Sequence, residues 1–131
     1  MKTQKYKGII ILETAIVLPL LILLIFGMIQ YSWIMLKSQE VTNAARVGAR
    51  TAVKPDSTTT EVTKAISDVM TKASLNDSGY KVTISPASAA SGEPITVKVT
   101  VPVSNIRLLD LAILPMPDQL SSSTTMNKEG P

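Results

Sequence analysis

The chain has 131 residues, 45% hydrophobic and 4% aromatic, with 13 Lys plus Arg against 10 Asp plus Glu and neither Cys nor His. That length allows one small domain plus an appendage, and the missing residue types exclude disulfides, thiolate or imidazole metal sites, Cys nucleophiles and His-based triads. A nucleic-acid partner is excluded too, because the basic excess is Lys2, Lys5 and Lys7 while acids and bases balance from Gly8 onward, which makes it an N-terminal tag and not a binding surface.

From Ile9 to Leu36 the chain reads IIILETAIVLPLLILLIFGMIQYSWIML, with Glu13 its only formal charge. About 20 apolar residues span a hydrocarbon core, and residues 14–34 supply them; as a helix the whole run extends roughly 42 Å. Apolar residues cover every face, as lipid exposure requires. Tyr31 and Trp33 fit an interfacial aromatic belt, and the lysines before the span place the N-terminus in the cytoplasm. Residues 9–36 are therefore expected to form a transmembrane helix, with the rest of the chain across the membrane. Three readings compete. A cleaved signal peptide has an apolar core of about 7–15 residues and a small-residue cleavage site, whereas this core is longer and runs into Gln30, Tyr31 and Trp33. A plain signal anchor explains length and flanks but leaves Glu13 unexplained. The third reading starts from Glu13.

An ionised carboxylate inside a span costs about 2.5–3.5 kcal/mol on insertion scales, so such residues are usually paired or functional. Near the cytoplasmic end Glu13 can also lift its head toward the interface. The leader MKTQKYKG followed by IIILE resembles the cleavage site of type IV prepilins. The resemblance implies a dedicated prepilin peptidase that cuts on the cytoplasmic side between Gly8 and Ile9, removing residues 1–8 and leaving Glu13 fifth in the product. The new α-amine of Ile9 would lie about 6 Å along the helix axis from Glu13. In a filament the resemblance implies that Glu13 of one subunit meets the Ile9 amine of its neighbour. Because an unpaired buried carboxylate is costly, that contact selects register more than it adds net stability. Glycine at the cut suits a site that needs unobstructed, extended backbone. Pro19 removes one backbone donor inside the span, and a kink is expected there.

Residues 37–53, KSQEVTNAARVGARTAV, carry Ala44, Ala45, Gly48, Ala49 and Ala52. These small residues predict that the helix continues, with a face suited to close approach. Arg46 and Arg50 stand at i and i+4 and share a side, which a solvated helix face also explains. AARVGAR at this distance from LETAIVLP resembles the TadE-like minor pseudopilins of tight-adherence (Tad/Flp) pilus systems. The family motif falls on Ala44, Ala45, Arg46, Gly48, Ala49 and Arg50, and SSSTTMNKE resembles the family's closing strand. One residue departs from the pattern: Thr14 stands where an aromatic commonly follows the Glu. The major pilins of these systems have little after the helix, so the extra domain argues for a minor subunit.

Residues 54–131 are expected to form the exported domain. Pro55 disfavours helix in the residue before it, and Thr58 with Glu61 has capping-box spacing for a second helix. Val62, Ala65, Ile66, Val69, Met70 and Ala73 form one apolar stripe along it, and residues 76–79, Asn-Asp-Ser-Gly, are expected to end it. Tyr80, Val82 and Ile84 alternate with polar residues as a short strand stopped by Pro86. After the loop SPASAASGEP, Ile95, Val97, Val99, Val101 and Val103 alternate through a second strand, in which Pro102 marks an edge position or a strand end. Residues 105–117 are apolar and irregular: a short helix or loop over the sheet, or a patch for a neighbour. Residues 119–128 add a third, polar strand. The fold class expected is α+β, a long N-terminal helix followed by one helix packed on a short antiparallel sheet.

No catalytic constellation emerges. The acids sit on helix ends and turns, where capping explains them, the glycines form no phosphate loop, and Ser121, Ser122 and Ser123 have no His to activate them. The expectation is a non-enzyme without cofactor, metal or small-molecule substrate. Its partners would be the peptidase, other pilin or pseudopilin subunits, the inner-membrane assembly platform and membrane lipid. It would sit in a bacterial inner membrane, N-terminus in the cytoplasm. The alternative is an unprocessed single-pass anchor whose exported domain binds a partner; a secreted module would need cleavage beyond Trp33.

Overall fold

Helix α1 (Thr3–Ala52) runs without a break from the basic leader through Pro19 to the last alanine of the small-residue run. The computed structural model describes residues 3–87, 89–109 and 115–130. Helix α2 (Thr59–Lys72), strands β1 (Lys81–Ser85) and β2 (Pro94–Pro102), a 3-10 turn (Val103–Asn105) and strand β3 (Gln119–Asn127) follow. The fold is α+β, as the sequence predicts. Two compact units divide it, Met1–Ser32 and Trp33–Pro131. The first is helix alone, and from Gly8 to Phe26 its side chains are exposed except for half-buried Leu23. Such a run of Ile, Leu and Val cannot stay uncovered in water.

In the second unit, α1 stops where Pro55 forbids helical geometry at Lys54. The Ser57 hydroxyl donates to the freed Ala52 carbonyl at 2.9 Å. Helix α2 then begins on the expected capping box. The Glu61 N–H donates to Thr58 Oγ1 at 3.3 Å and the Thr58 N–H to Glu61 Oε2 at 3.0 Å, satisfying two orphan donors reciprocally. Its stripe points inward, with Val62, Ile66 and Met70 buried and Val69 and Ala73 packed at the margin.

The end of α2 differs from the expectation. Ala73 is the C-cap, and Ser74 adopts the left-handed conformation at φ 56°. Its N–H donates to the Thr71 carbonyl at 3.0 Å, and the Leu75 N–H to the Met70 carbonyl at 2.8 Å. These are the two bonds of a Schellman motif, whose apolar contact is supplied by buried Leu75 and Met70. The helix therefore closes before the Asn-Asp-Ser-Gly turn, on a serine doing a glycine's conformational task.

The sheet is antiparallel in the order β1-β2-β3. Val82 faces Val99 and Ile84 faces Val97; Leu120 faces Val101 and Met126 faces Ile95. Strand β2 is central, which settles Pro102: it ends the strand, opposite Gln119, and the edge alternative is wrong. Pairing with β1 has ended at Thr100, so Pro102, with no N–H to donate, has a partner strand on the β3 side alone. Ile95, Val97, Val99 and Val101 are buried on the helix-covered face. The other face is polar, with the Thr96 and Thr125 hydroxyls 2.7 Å apart. The polar third strand is present as expected. Of the apolar stretch 105–117, residues 110–114 lie outside the described residues.

A non-glycine residue at positive φ carries a penalty of roughly 1 kcal/mol that glycine avoids, part of it returned as unfolded-chain entropy. Ser74→Gly is expected to stabilise the head by about 0.5–1 kcal/mol, read as a higher urea midpoint at unchanged slope for the micelle-solubilised chain.

Candidate functional site

The residues singled out by the sequence lie along α1 in two groups, one in each unit. In the first unit Ile10, Glu13, Thr14, Val17, Leu18 and Leu21 recur at helical spacing and line one shallow groove. Glu13 is the only formal charge between Gly8 and Leu36, and its side chain is exposed. Thr14, the departure from the family pattern, donates its hydroxyl to the Ile10 carbonyl at 2.8 Å. The back-bond satisfies the hydroxyl within its own helix, so threonine is compatible with an apolar surround. Among the described residues, a Cβ added at Gly8 would meet no atom within 4 Å.

The second group is the AARVGAR run. Ala44, Ala45, Gly48 and Ala49 are buried, while Arg46 and Arg50 are exposed. With Ile34, Lys37, Val41 and Ala52 they complete a buried stripe at alternating three- and four-residue steps. Its narrowest point is Gly48. A Cβ there would lie 2.6 Å from Ile66 Cδ1, 2.7 Å from Ile66 Cγ1 and 3.1 Å from Val97 Cγ1. The small residues of the motif are thus core contacts against α2 and β2, and the arginines project from the opposite side. Arg46 closes a polar surface groove with Met35, Ser38, Gln39, Thr42 and Asn43.

Trp33, read as an interfacial residue, and Lys37, the first residue after the apolar run, have further partners within the second unit. The Trp33 indole N–H donates to the Ile106 carbonyl at 2.9 Å. Lys37, only 8% exposed, donates from Nζ to the Ala73 carbonyl at 2.6 Å and sits 4.7 Å from the Trp33 ring centroid. Ala73 is the C-cap of α2, so the ammonium meets both an orphan carbonyl and the negative end of the helix dipole. The i, i+4 spacing of Trp33 and Lys37 was the available signal, since it continues the buried stripe upstream.

Among the described residues one helix is long and apolar enough to cross a membrane, which suggests a membrane anchor, and a small α+β head follows it in the chain. Residues 8–50 match the family described as TadE-like protein. Over that segment, about a third of the chain, the resemblance read from LETAIVLP and AARVGAR holds. No curated protein and no solved structure matches the chain.

Filling Gly48 tests the close approach. Gly48→Ala gains up to about 1 kcal/mol of helix propensity but forces Ile66 aside in a packed core, a change that typically costs about 1–3 kcal/mol. The net expectation is destabilisation of roughly 1 kcal/mol, partly relieved when Ile66→Val is added. Denaturation of both single variants and the double variant reads that non-additivity.

Proposed function

We propose that this protein is a minor pseudopilin of a Tad/Flp-type pilus or secretion filament, cut by a prepilin peptidase between Gly8 and Ile9. The observation that carries the reading is a contrast between two glycines. Gly48 is explained by its own fold, because a methyl group there would overlap Ile66 unless that side chain moved. Gly8 has no such reason among the described residues: a Cβ there would meet no atom within 4 Å, and glycine inside a helix costs about 1 kcal/mol relative to alanine. Something outside this chain selects it, and a peptidase that needs unobstructed backbone does so. The family match also begins at residue 8 and takes in Glu13.

Cleavage places a cationic amine on Ile9, one helical turn from Glu13. Within one chain the two groups partly offset each other in lipid. In a filament the Glu13 carboxylate answers the amine of an adjacent subunit, and the cost of leaving it unpaired fixes axial register. The exposed apolar surface of residues 9–29 serves both states, first against lipid and then against neighbouring helices. The protein inserts in the bacterial inner membrane with its N-terminus in the cytoplasm and its head on the far side. It performs no catalysis and holds no cofactor. The second reading, an unprocessed anchor with a partner-binding head, explains the helix but gives neither Gly8 nor Glu13 a task.

Intact-mass analysis of the membrane-extracted protein is expected to show loss of residues 1–8. Full-length protein would favour the unprocessed anchor. Gly8→Ile is expected to block the cut, and normal trimming of that variant would defeat the proposal. Glu13→Gln is expected to be trimmed normally yet to vanish from the sheared fibre fraction.

A further inference from the structure

Outside α1, Leu108 is the one large apolar side chain that is exposed among the described residues, at 54%. Its position is set by the Trp33 indole, which holds the Ile106 carbonyl at 2.9 Å. Trp33 lies in the last turn of the apolar run that ends at Leu36. Ile106 is therefore pinned at the level where α1 leaves the lipid, and Leu108, two residues further on, is within about 7 Å of it. Arg107 precedes Leu108, and both line a concavity of about 470 Å³ together with Trp33, Lys37 and Ile106; one acid, Asp77, shares its wall. An exposed leucine beside an arginine, at the height of a tryptophan, is the side-chain mixture that bilayer interfaces select.

We propose that residues 107–109 form a second membrane-contact surface, with Leu108 entering the interfacial layer of the leaflet from which α1 emerges and Arg107 at the level of the lipid phosphates. The occupant is phospholipid and not a neighbouring protein, because the backbone just before residues 107–109 is held beside Trp33, at the boundary of the span.

The inference rests on α1 being a membrane anchor, and the test separates the two. The chain has no cysteine, so Leu108→Cys, Phe26→Cys and Ser123→Cys each accept one environment-sensitive fluorophore. The full-length variants are reconstituted at high lipid-to-protein ratio in vesicles of phosphatidylethanolamine and phosphatidylglycerol, with either lipid-borne or aqueous quenchers. The expected result is a blue-shifted label at position 108, quenched from lipid several-fold more strongly than the label at 123, with the label at 26 quenched from lipid as well. A label at 108 that matches position 123 while 26 is quenched overturns the inference and leaves the anchor standing. Failure of lipid to quench any label removes the anchor and the inference together. Shielding of position 108 from both quenchers means that protein covers it, and this also overturns the proposal.

Discussion

At Gly48, helix α1 comes so close to Ile66 and Val97 that even a methyl group would have to push Ile66 aside. The head depends on this approach. Helix α1 contributes mainly backbone and alanine there, while α2 and β2 contribute the bulk through Ile66, Met70, Val97, Val99 and Val101. Small residues facing large ones let three elements interdigitate at interior density. The same constraint disposes of the arginines. With Ala44, Ala45, Gly48 and Ala49 committed inward, Arg46 and Arg50 have only the outer face, so one seven-residue motif serves both the core and the surface.

Helix α1 changes surroundings along its length. Residues 9–29 present an apolar surface that needs lipid or other helices, and residues from Lys37 onward present one buried stripe and a polar back. Lys37 marks the change. A lysine this deeply buried is tolerable only when its charge is answered, and both answers come from close by: the carbonyl at the end of α2 and the face of Trp33. The head thereby grips the helix directly beyond the apolar run.

Elements whose specification is local could be read from the sequence. The Thr58 and Glu61 cap, the stripe on α2 and the alternation in β2 are short-range patterns, and the structure reproduces them. The family motifs at the N-terminus are equally local. What escaped depends on partners distant in the chain, or on an unusual residue in a standard role. The end of α2 was placed too late because Gly79 looked like the stop, while Ser74 had already taken the left-handed position. Pro102 was ambiguous because only pairing on both sides of β2 distinguishes a strand end from an edge. Trp33 could be placed at the membrane boundary, but its acceptor, Ile106, and that of Lys37, Ala73, lie many residues away with no local signature.

Strand β3 follows every other described element in the chain, yet it covers one whole flank of the central strand. Ribosomal order consequently delivers β2 with its partner on that side still missing. Until Leu120 and Met126 arrive, the valine row has an open border, and the nascent head is a half-built sheet that any extended neighbour could occupy. The uncharged serines and threonines of β3 suit this late arrival: Thr124 and Thr125 have the stiffness of β-branched strand formers, and none of the five has enough greasiness to clump while waiting.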